Sequence, residues 1–301
     1  MVVDPDDTWD DPTRLAALRV AAEPAALCDA VVAALEAGGP RPRSGPAPGG
    51  AAGLDDATSV GVSDAAEAAR TAWRQDWLAA STVARAAVDA AVGSAADGTV
   101  GWAYAALVDH LPDGALVVAA NSMAVRDLDT YTAASAKAIR VVASRGAAGI
   151  DGTLSTALGA AHGSGRPTVL VTGDLAFLHD VNGLAAAGQP GIDAVVVVFD
   201  DDGGGIFAHL PIAADAGRPG AAADRFARFF RTPTGADLAA ACALYRVPHA
   251  RVDAPADVAA ALARLAQPGA GVRVLEVPVD MARNTEAHRR LWARVVDGVG
   301  G

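Results

Sequence analysis

The sequence predicts an α/β fold: an open parallel sheet with helices on both faces, preceded by a partial α/β segment. Three observations carry this. The runs TVLVT (168–172) and AVVVVF (194–199) are apolar without polar alternation, as in strands buried on both faces. From residue 101 onward, strand-like and helix-like segments alternate, which is the order of a parallel sheet with crossover helices. The unusual loops of the chain, rich in Asp, Gly and Arg, fall just after the strand-like runs.

Taken in order, residues 11–20 and 25–35 read as a short strand and a helix. RPRSGPAPGGAAG (41–53) has no apolar period and reads as a flexible loop. Residues 63–92 are mostly strong helix formers, with Trp73, Trp77 and Leu78 on one face that is expected to pack. Helix 101–111, strands 115–119 and 140–143, and helix 153–161 follow. Strand 168–172, helix 176–187 and strand 194–199 come next, and helix 237–245, strand 249–252, helix 256–266, strand 272–277 and helix 286–296 complete the chain. This divides it into 1–97, an uneven α/β segment and helical linker, and 98–301, the sheet domain.

Composition narrows the function. With 24 basic and 35 acidic side chains among 301 residues, the net charge of −11 excludes a nucleic-acid binder working through bulk charge. A 52% hydrophobic and 20% charged composition supports a buried core. No apolar run reaches the roughly 18 residues of a membrane span. The acidic start MVVDPDDTWDD is unlike a signal peptide, so a cytoplasmic protein is predicted. Two cysteines, Cys28 and Cys242, make neither a disulfide framework nor a CxxC metal site and are expected to be small buried hydrophobes.

In open α/β sheets ligands bind at the carboxyl ends of the strands, where strand order reverses. Here those ends are NSMAVRD (121–127), SRGAAGIDG (144–152), GDLAFLHD (173–180) and DDDGGGIFAHLP (200–211). Asp174 follows TVLVT by one glycine and Asp201 sits just past AVVVVF, so one β-α-β unit brings both carboxylates to the same sheet edge. A hard divalent cation takes oxygen ligands completed by water and phosphate, and Asp174, Asp201 and a carbonyl of the Gly203–Gly204–Gly205 run could supply three. The helix start after Asp174 would favour an anion, so a diphosphate held through a divalent metal is the natural ligand. Taken singly, Gly-Asp after a strand is more often an N-cap and DDDGGG a solvated turn. No GxGxxG opens the first β-α turn and no GxxxxGK[ST] is present, which weakens a nucleotide-binding reading.

With NSMAVRD, SRGAAGIDGTLSTALG, GDLAFLHDVNGL, DDDGGGIFAHLP and FFRTPTGADLAAACALY in place, the chain resembles the C-terminal part of the 2-succinyl-5-enolpyruvyl-6-hydroxy-3-cyclohexene-1-carboxylate synthase (MenD) family, thiamine diphosphate-dependent transferases of menaquinone biosynthesis. The resemblance runs over roughly 101–296, and for 1–97 it suggests only a partial central domain of that family with a helical linker. It implies the diphosphate domain of the thiamine diphosphate-binding fold, with thiamine diphosphate and Mg2+ or Mn2+ as cofactors. Asp174, Asp201 and the Gly203 carbonyl would hold the metal, and Gly173 with the amides of Leu175 and Ala176 would cradle the diphosphate. Gly149 and Ile150, with Ile206 and Phe207, would shape the cofactor wall, with ordinary core packing as the alternative for the apolar three. Asn121, Ser122, Arg126 and Arg145 match substrate-contacting positions, and paired arginines suit the dicarboxylates 2-oxoglutarate and isochorismate. Surface salt bridges are the alternative for those arginines. His162, His179, His209 and His288 are expected in solvated or capping roles.

Two departures from the family stand out. Asp201, within Asp200–Asp201–Asp202, replaces the Asn that many relatives carry beside the metal. The family's N-terminal pyrimidine-binding domain, with its activating glutamate, has no counterpart here, and Glu23, Glu36 and Glu67 lie in no context that could replace it. The implied product is therefore the C-terminal half of a synthase, inactive alone, working as a homo-oligomer or with a separate pyrimidine-binding polypeptide, and carrying no catalytic residue of its own. The competing readings are the diphosphate-binding subunit of another split thiamine-dependent 2-oxo acid decarboxylase, or a non-catalytic cofactor-binding remnant.

Overall fold

The computed structural model describes residues 2–3, 19–37, 64–92, 99–144, 146–215, 225–265 and 269–300. The Pro/Gly/Ala loop at 41–53 and Arg145 lie outside the described residues. The chain divides into two units, 1–72 and 73–301, with the boundary inside one long helix.

In the first unit, β1 (Val2–Val3) pairs in parallel with β2 (Arg19–Val20). Helix α1 (Pro24–Glu36) follows and starts on proline, whose fixed φ and missing N–H suit a first turn. Cys28 is exposed on it, contrary to expectation, whereas Cys242 is buried in the second unit.

Among the described residues the second unit holds six strands, all parallel: β3 (Leu116–Ala119), β4 (Arg140–Ala143), β5 (Thr168–Gly173), β6 (Ala194–Asp200), β7 (His249–Arg251) and β8 (Val272–Pro278). Their order is β4-β3-β5-β6-β8-β7. Alternate residues of the central strands feed two separate cores. Val117, Val169, Val171, Val195 and Val197 pack against α3 (Gly101–His110), α4 (Met123–Tyr131), α8 (Pro255–Leu265) and α9 (Met281–Gly300). Leu116, Val118, Leu170, Val196 and Val198 pack on the opposite face against α5 (Thr153–Ser164), α6 (Asp174–His179) and α7 (Leu238–Leu244). Burial on both sides is why these strands show no polar alternation, and each such side chain contributes roughly 1.5–3 kcal/mol.

Several local expectations change. Residues 123–131, of which 123–127 are expected in the loop after a strand, form helix α4. The single helix expected over 176–187 is a short α6 followed by a 3-10 turn, Val181–Ala186. The final helix begins at Met281, well before residue 286. Helix α2 (Asp64–Val92) is as long as predicted, but Trp73, Trp77 and Leu78 stand more than half exposed rather than packed. Lys137, the sole lysine, donates to the carbonyls of Val108, Asp109 and Leu111 at 3.2, 2.7 and 3.0 Å. It thereby satisfies the negative end of α3.

The topology fixes the site. From β3 the chain moves outward to β4, and from β5 it moves the other way to β6, with α4 and α6 on opposite faces. The diverging crossovers leave a crevice at the carboxyl ends of β3 and β5.

Candidate active site

A cavity of about 480 Å3 occupies that crevice. Asn121, Ser122 and Arg126 line it after β3, and Ile150 after β4. Gly173, Asp174, Leu175 and Ala176 line it after β5, and Asp201, Gly203, Ile206 and Phe207 after β6. Residues predicted from four separate loops thus meet in one space. Gly149 is not on the lining, but its carbonyl accepts from Asn121 Nδ2 at 2.7 Å, so Asn121 ties the β3 end to the loop that carries Ile150.

β5 and β6 are neighbours in register, with Gly173 opposite Phe199, and this places Asp174 close to Asp200 and Asp201. Asp174 is 2% exposed, and its Oδ2 has no hydrogen-bond partner. Burial pushes its carboxyl up to about 6; the Asp200 charge adds to this, and the amides of Leu175 and Gly203 oppose it. Asp201 is pushed up to about 7, first by burial and then by Asp174 and Asp200, against Arg231 and the Gly205 amide. Asp200 is raised as well, by burial and by repulsion from Glu276 and Asp202, while its Oδ1 accepts the Asp202 amide at 3.1 Å. Three crowded carboxylates, one with an orphaned buried oxygen, form a donor set that a divalent cation would stabilise. Among the described residues no group of three His, Cys, Asp or Glu side chains is arranged to hold a metal alone, so a cation here would also need backbone and ligand oxygens.

The glycine triplet is a packing requirement. A Cβ on Gly204 would lie 2.5 Å from the Phe230 carbonyl oxygen, and one on Gly205 would lie 2.7 Å from Asp201 Cγ. Gly203 has φ +142°, and a Cβ there would collide with the Arg231 carbonyl. That same carbonyl accepts the Gly204 amide at 2.6 Å. Asp202 completes the anchoring: its Oδ1 accepts the amides of Thr234 and Gly235 at 3.0 and 2.9 Å. The loop is thereby held against the π-helical turn Ala227–Arg231 and the residues after it. Across the cavity, Ser122 sits at φ 66° and ψ −135° just before α4, a sparsely populated conformation that costs a side-chain-bearing residue about 1–3 kcal/mol. Arg126 Nη1 braces it by donating to the Ser122 carbonyl at 2.6 Å.

Sequence reasoning missed the remaining wall. Asp127, His209, Asn284 and Thr285 also line the cavity. His288 is neither solvated nor a cap: it is 4% exposed, with Nε2 3.2 Å from Asp127 Oδ1 and 3.3 Å from the Tyr131 hydroxyl. His209 packs edge-on against it, and burial lowers its pKa to about 4, so the ring is neutral. His162 and His179 are exposed in the last turns of α5 and α6, as expected. No sequence signal points to this wall, because the predicted final helix begins at residue 286 and leaves Asn284 and Thr285 outside it; only the helix observed from Met281 brings Asn284, Thr285 and His288 together.

A carboxylate pair and a glycine loop at the switch point of a parallel sheet place this chain among the ligand-binding open α/β domains. Residues 126–277 match the family of the thiamine pyrophosphate enzyme C-terminal TPP binding domain, and the chain belongs to that family. Its curated relatives are named 2-succinyl-5-enolpyruvyl-6-hydroxy-3-cyclohexene-1-carboxylate synthase, as the sequence resemblance implied. The one from Myxococcus xanthus is 40% identical over 230 residues, covering 76% of this chain and 38% of the relative. The one from Salinibacter ruber is 37% identical over 98% of this chain and 43% of its own, and the one from Sorangium cellulosum is 38% identical over 95% and 42%. The chain thus spans about two fifths of the length of these relatives. Among the described residues no helix is long and apolar enough to cross a membrane.

Proposed function

We propose that this chain supplies the diphosphate- and metal-binding half of a synthase that joins decarboxylated 2-oxoglutarate to isochorismate. The observation that carries the reading is the buried Asp174 carboxylate with an orphaned oxygen, crowded by Asp200 and Asp201 beside a glycine loop packed tightly against the Phe230 and Arg231 carbonyls and the Asp201 side chain. Asp174, Asp201 and the Gly203 carbonyl would hold Mg2+ or Mn2+, and Gly173 with the Leu175 and Ala176 amides would receive the diphosphate. Thiamine diphosphate, when bound, supplies the decarboxylation and carbon-transfer chemistry. The protein's part is positioning. Ile150, Ile206 and Phe207 give the cavity an apolar wall that excludes water from the reacting carbon. Ser122 and Arg126 stand at the opposite rim, where a guanidinium can take a substrate carboxylate through two parallel bonds, and Arg145 is assigned to the same task by its sequence position.

The pyrimidine-binding half, with its activating glutamate, is supplied by a polypeptide segment outside these 301 residues. The share of each relative that the chain covers supports this. The test is reconstitution. The chain is co-expressed with the portion of the Myxococcus xanthus relative that it does not match, and CO2 release from 2-oxoglutarate is followed with isochorismate present. Turnover that requires both polypeptides supports the proposal. A well-formed complex that binds thiamine diphosphate but releases no CO2 contradicts it and favours a cofactor-binding remnant.

A further inference from the structure

We propose that His288 is a positioning residue: with its neighbour Arg289 it couples the two walls of the cavity, helix α4 with Ser122 and Arg126 on one side, and the Gly205–His209 turn with Ile206 and Phe207 on the other. The inference rests on the function proposed above, in which those walls hold substrate and cofactor.

One turn of α9 reaches both walls. His288 Nε2 faces Asp127 Oδ1 at 3.2 Å and the Tyr131 hydroxyl at 3.3 Å, and these two residues lie four positions apart on α4. Two contacts one helical turn apart fix the roll of a helix about its axis as well as its distance. The other edge of the same imidazole environment is His209, whose ring centroid lies 5.0 Å away at 82°. Arg289 Nη2 then donates to the Ala208 carbonyl at 3.3 Å, so consecutive residues of α9 grip the turn beside Phe207. One turn earlier on α9, Asn284 Oδ1 accepts the Val100 amide at 3.2 Å, which holds the start of α3 at the rim of the same cavity.

Asp127 explains why this grip governs substrate geometry. It is 3% exposed, and its Oδ1 makes no aligned hydrogen bond although His288 stands within ion-pair distance. A buried carboxylate whose neighbour is removed is strongly unfavourable, so with His288 lost Asp127 is driven either to take up a proton or to shift toward the cavity, and in both cases α4 loses the contact that fixes its roll. Arg126 is the next residue along the same helix, and its brace on the strained Ser122 would turn with it. A reacting geometry displaced by about 1 Å loses on the order of a hundredfold in rate.

The test uses the full 301-residue chain as His288→Ala and His288→Gln, the second keeping a side-chain N–H that can reach Asp127. Two readouts are taken: amide hydrogen exchange by segment, and calorimetric binding of thiamine diphosphate with Mg2+. For His288→Ala, exchange should rise about tenfold in both 122–131 and 205–209 while 168–173 and 194–200 keep their protection. Cofactor affinity should fall by about tenfold, and His288→Gln should restore both readouts to within about threefold. Uniform loosening across the sheet, loosening of one wall only, or equal damage by Ala and Gln would overturn the proposal. Should His288→Ala fail to fold, Arg289→Ala decides: its side chain is mostly exposed, and its loss should raise exchange in 205–209 while 168–173 stays protected, whereas unchanged exchange there overturns the coupling. If the unaltered chain binds no thiamine diphosphate, the cofactor reading fails, and the exchange pattern still decides the role of His288.

Discussion

Gly205→Ala separates the metal site from the fold. The new methyl would collide with Asp201 Oδ2 and lie 2.7 Å from its Cγ, where ordinary contact begins near 3.4 Å, so the carboxylate must rotate out of the space altogether. What yields is the free end of a side chain, not backbone. The folding cost is therefore that of an off-rotamer aspartate, about 0.5–1.5 kcal/mol. For a unit of this size that lowers the melting temperature by only a few degrees, at about 2–4 °C per kcal/mol. Binding should suffer far more, because a ligand oxygen moved by about 1 Å leaves octahedral Mg2+ geometry, which tolerates little distortion. We expect calorimetry to show at least a tenfold weaker affinity for thiamine diphosphate in Mg2+, about 1.4 kcal/mol or more. Gly203→Ala is the control: its collision is with the Arg231 backbone at a positive φ, so it should cost about 3 kcal/mol in stability as well. A Gly205→Ala chain that binds cofactor and metal as tightly as the parent would refute the placement of Asp201 at the metal.

Other expectations follow from the same structure. Asp174 and Asp201 hold protons in the folded state, near 6 and 7, that the unfolded chain releases near 4. Their contribution to stability is thus present below about pH 4 and lost as pH rises through 6 to 7. Without metal, their titration should lower the melting temperature between pH 5 and 8, and saturating Mg2+ should abolish or reverse that slope. Leu170→Ala, at a fully buried position on the central strand β5, should cost about 2–5 kcal/mol in urea denaturation. Lys137→Met removes the ammonium from three carbonyls at the end of α3 and should cost about 1–2 kcal/mol by the same measurement, with cofactor affinity unchanged.

What the sequence disclosed follows physical lines. The central strands were legible because two buried faces leave an unbroken apolar run, and the Asp174–Asp201 pair because adjacent parallel strands must end at one edge. Helix α4 was missed: it is nine residues long and follows a left-handed Ser122 that offers no side-chain cap, so no start signal precedes it. The partnership of Asp127 with His288 links residues far apart in the chain through helices on a shared face, and no local pattern records it. The Trp73–Trp77 face shows the opposite error. Periodicity identified an apolar stripe correctly but carried no information on whether anything in this unit covers it, and both rings stand exposed.

The central claim is that Asp174 and Asp201 bind a diphosphate through a divalent cation. Its most direct measurement is the calorimetric titration of the chain with thiamine diphosphate, with and without Mg2+, beside Asp174→Ala. Binding should appear only with the metal and vanish in the variant, while the variant's stability without metal rises because a buried, unpaired carboxylate has been removed. Metal-independent binding, or an Asp174→Ala chain that binds as tightly as the parent, would contradict the account.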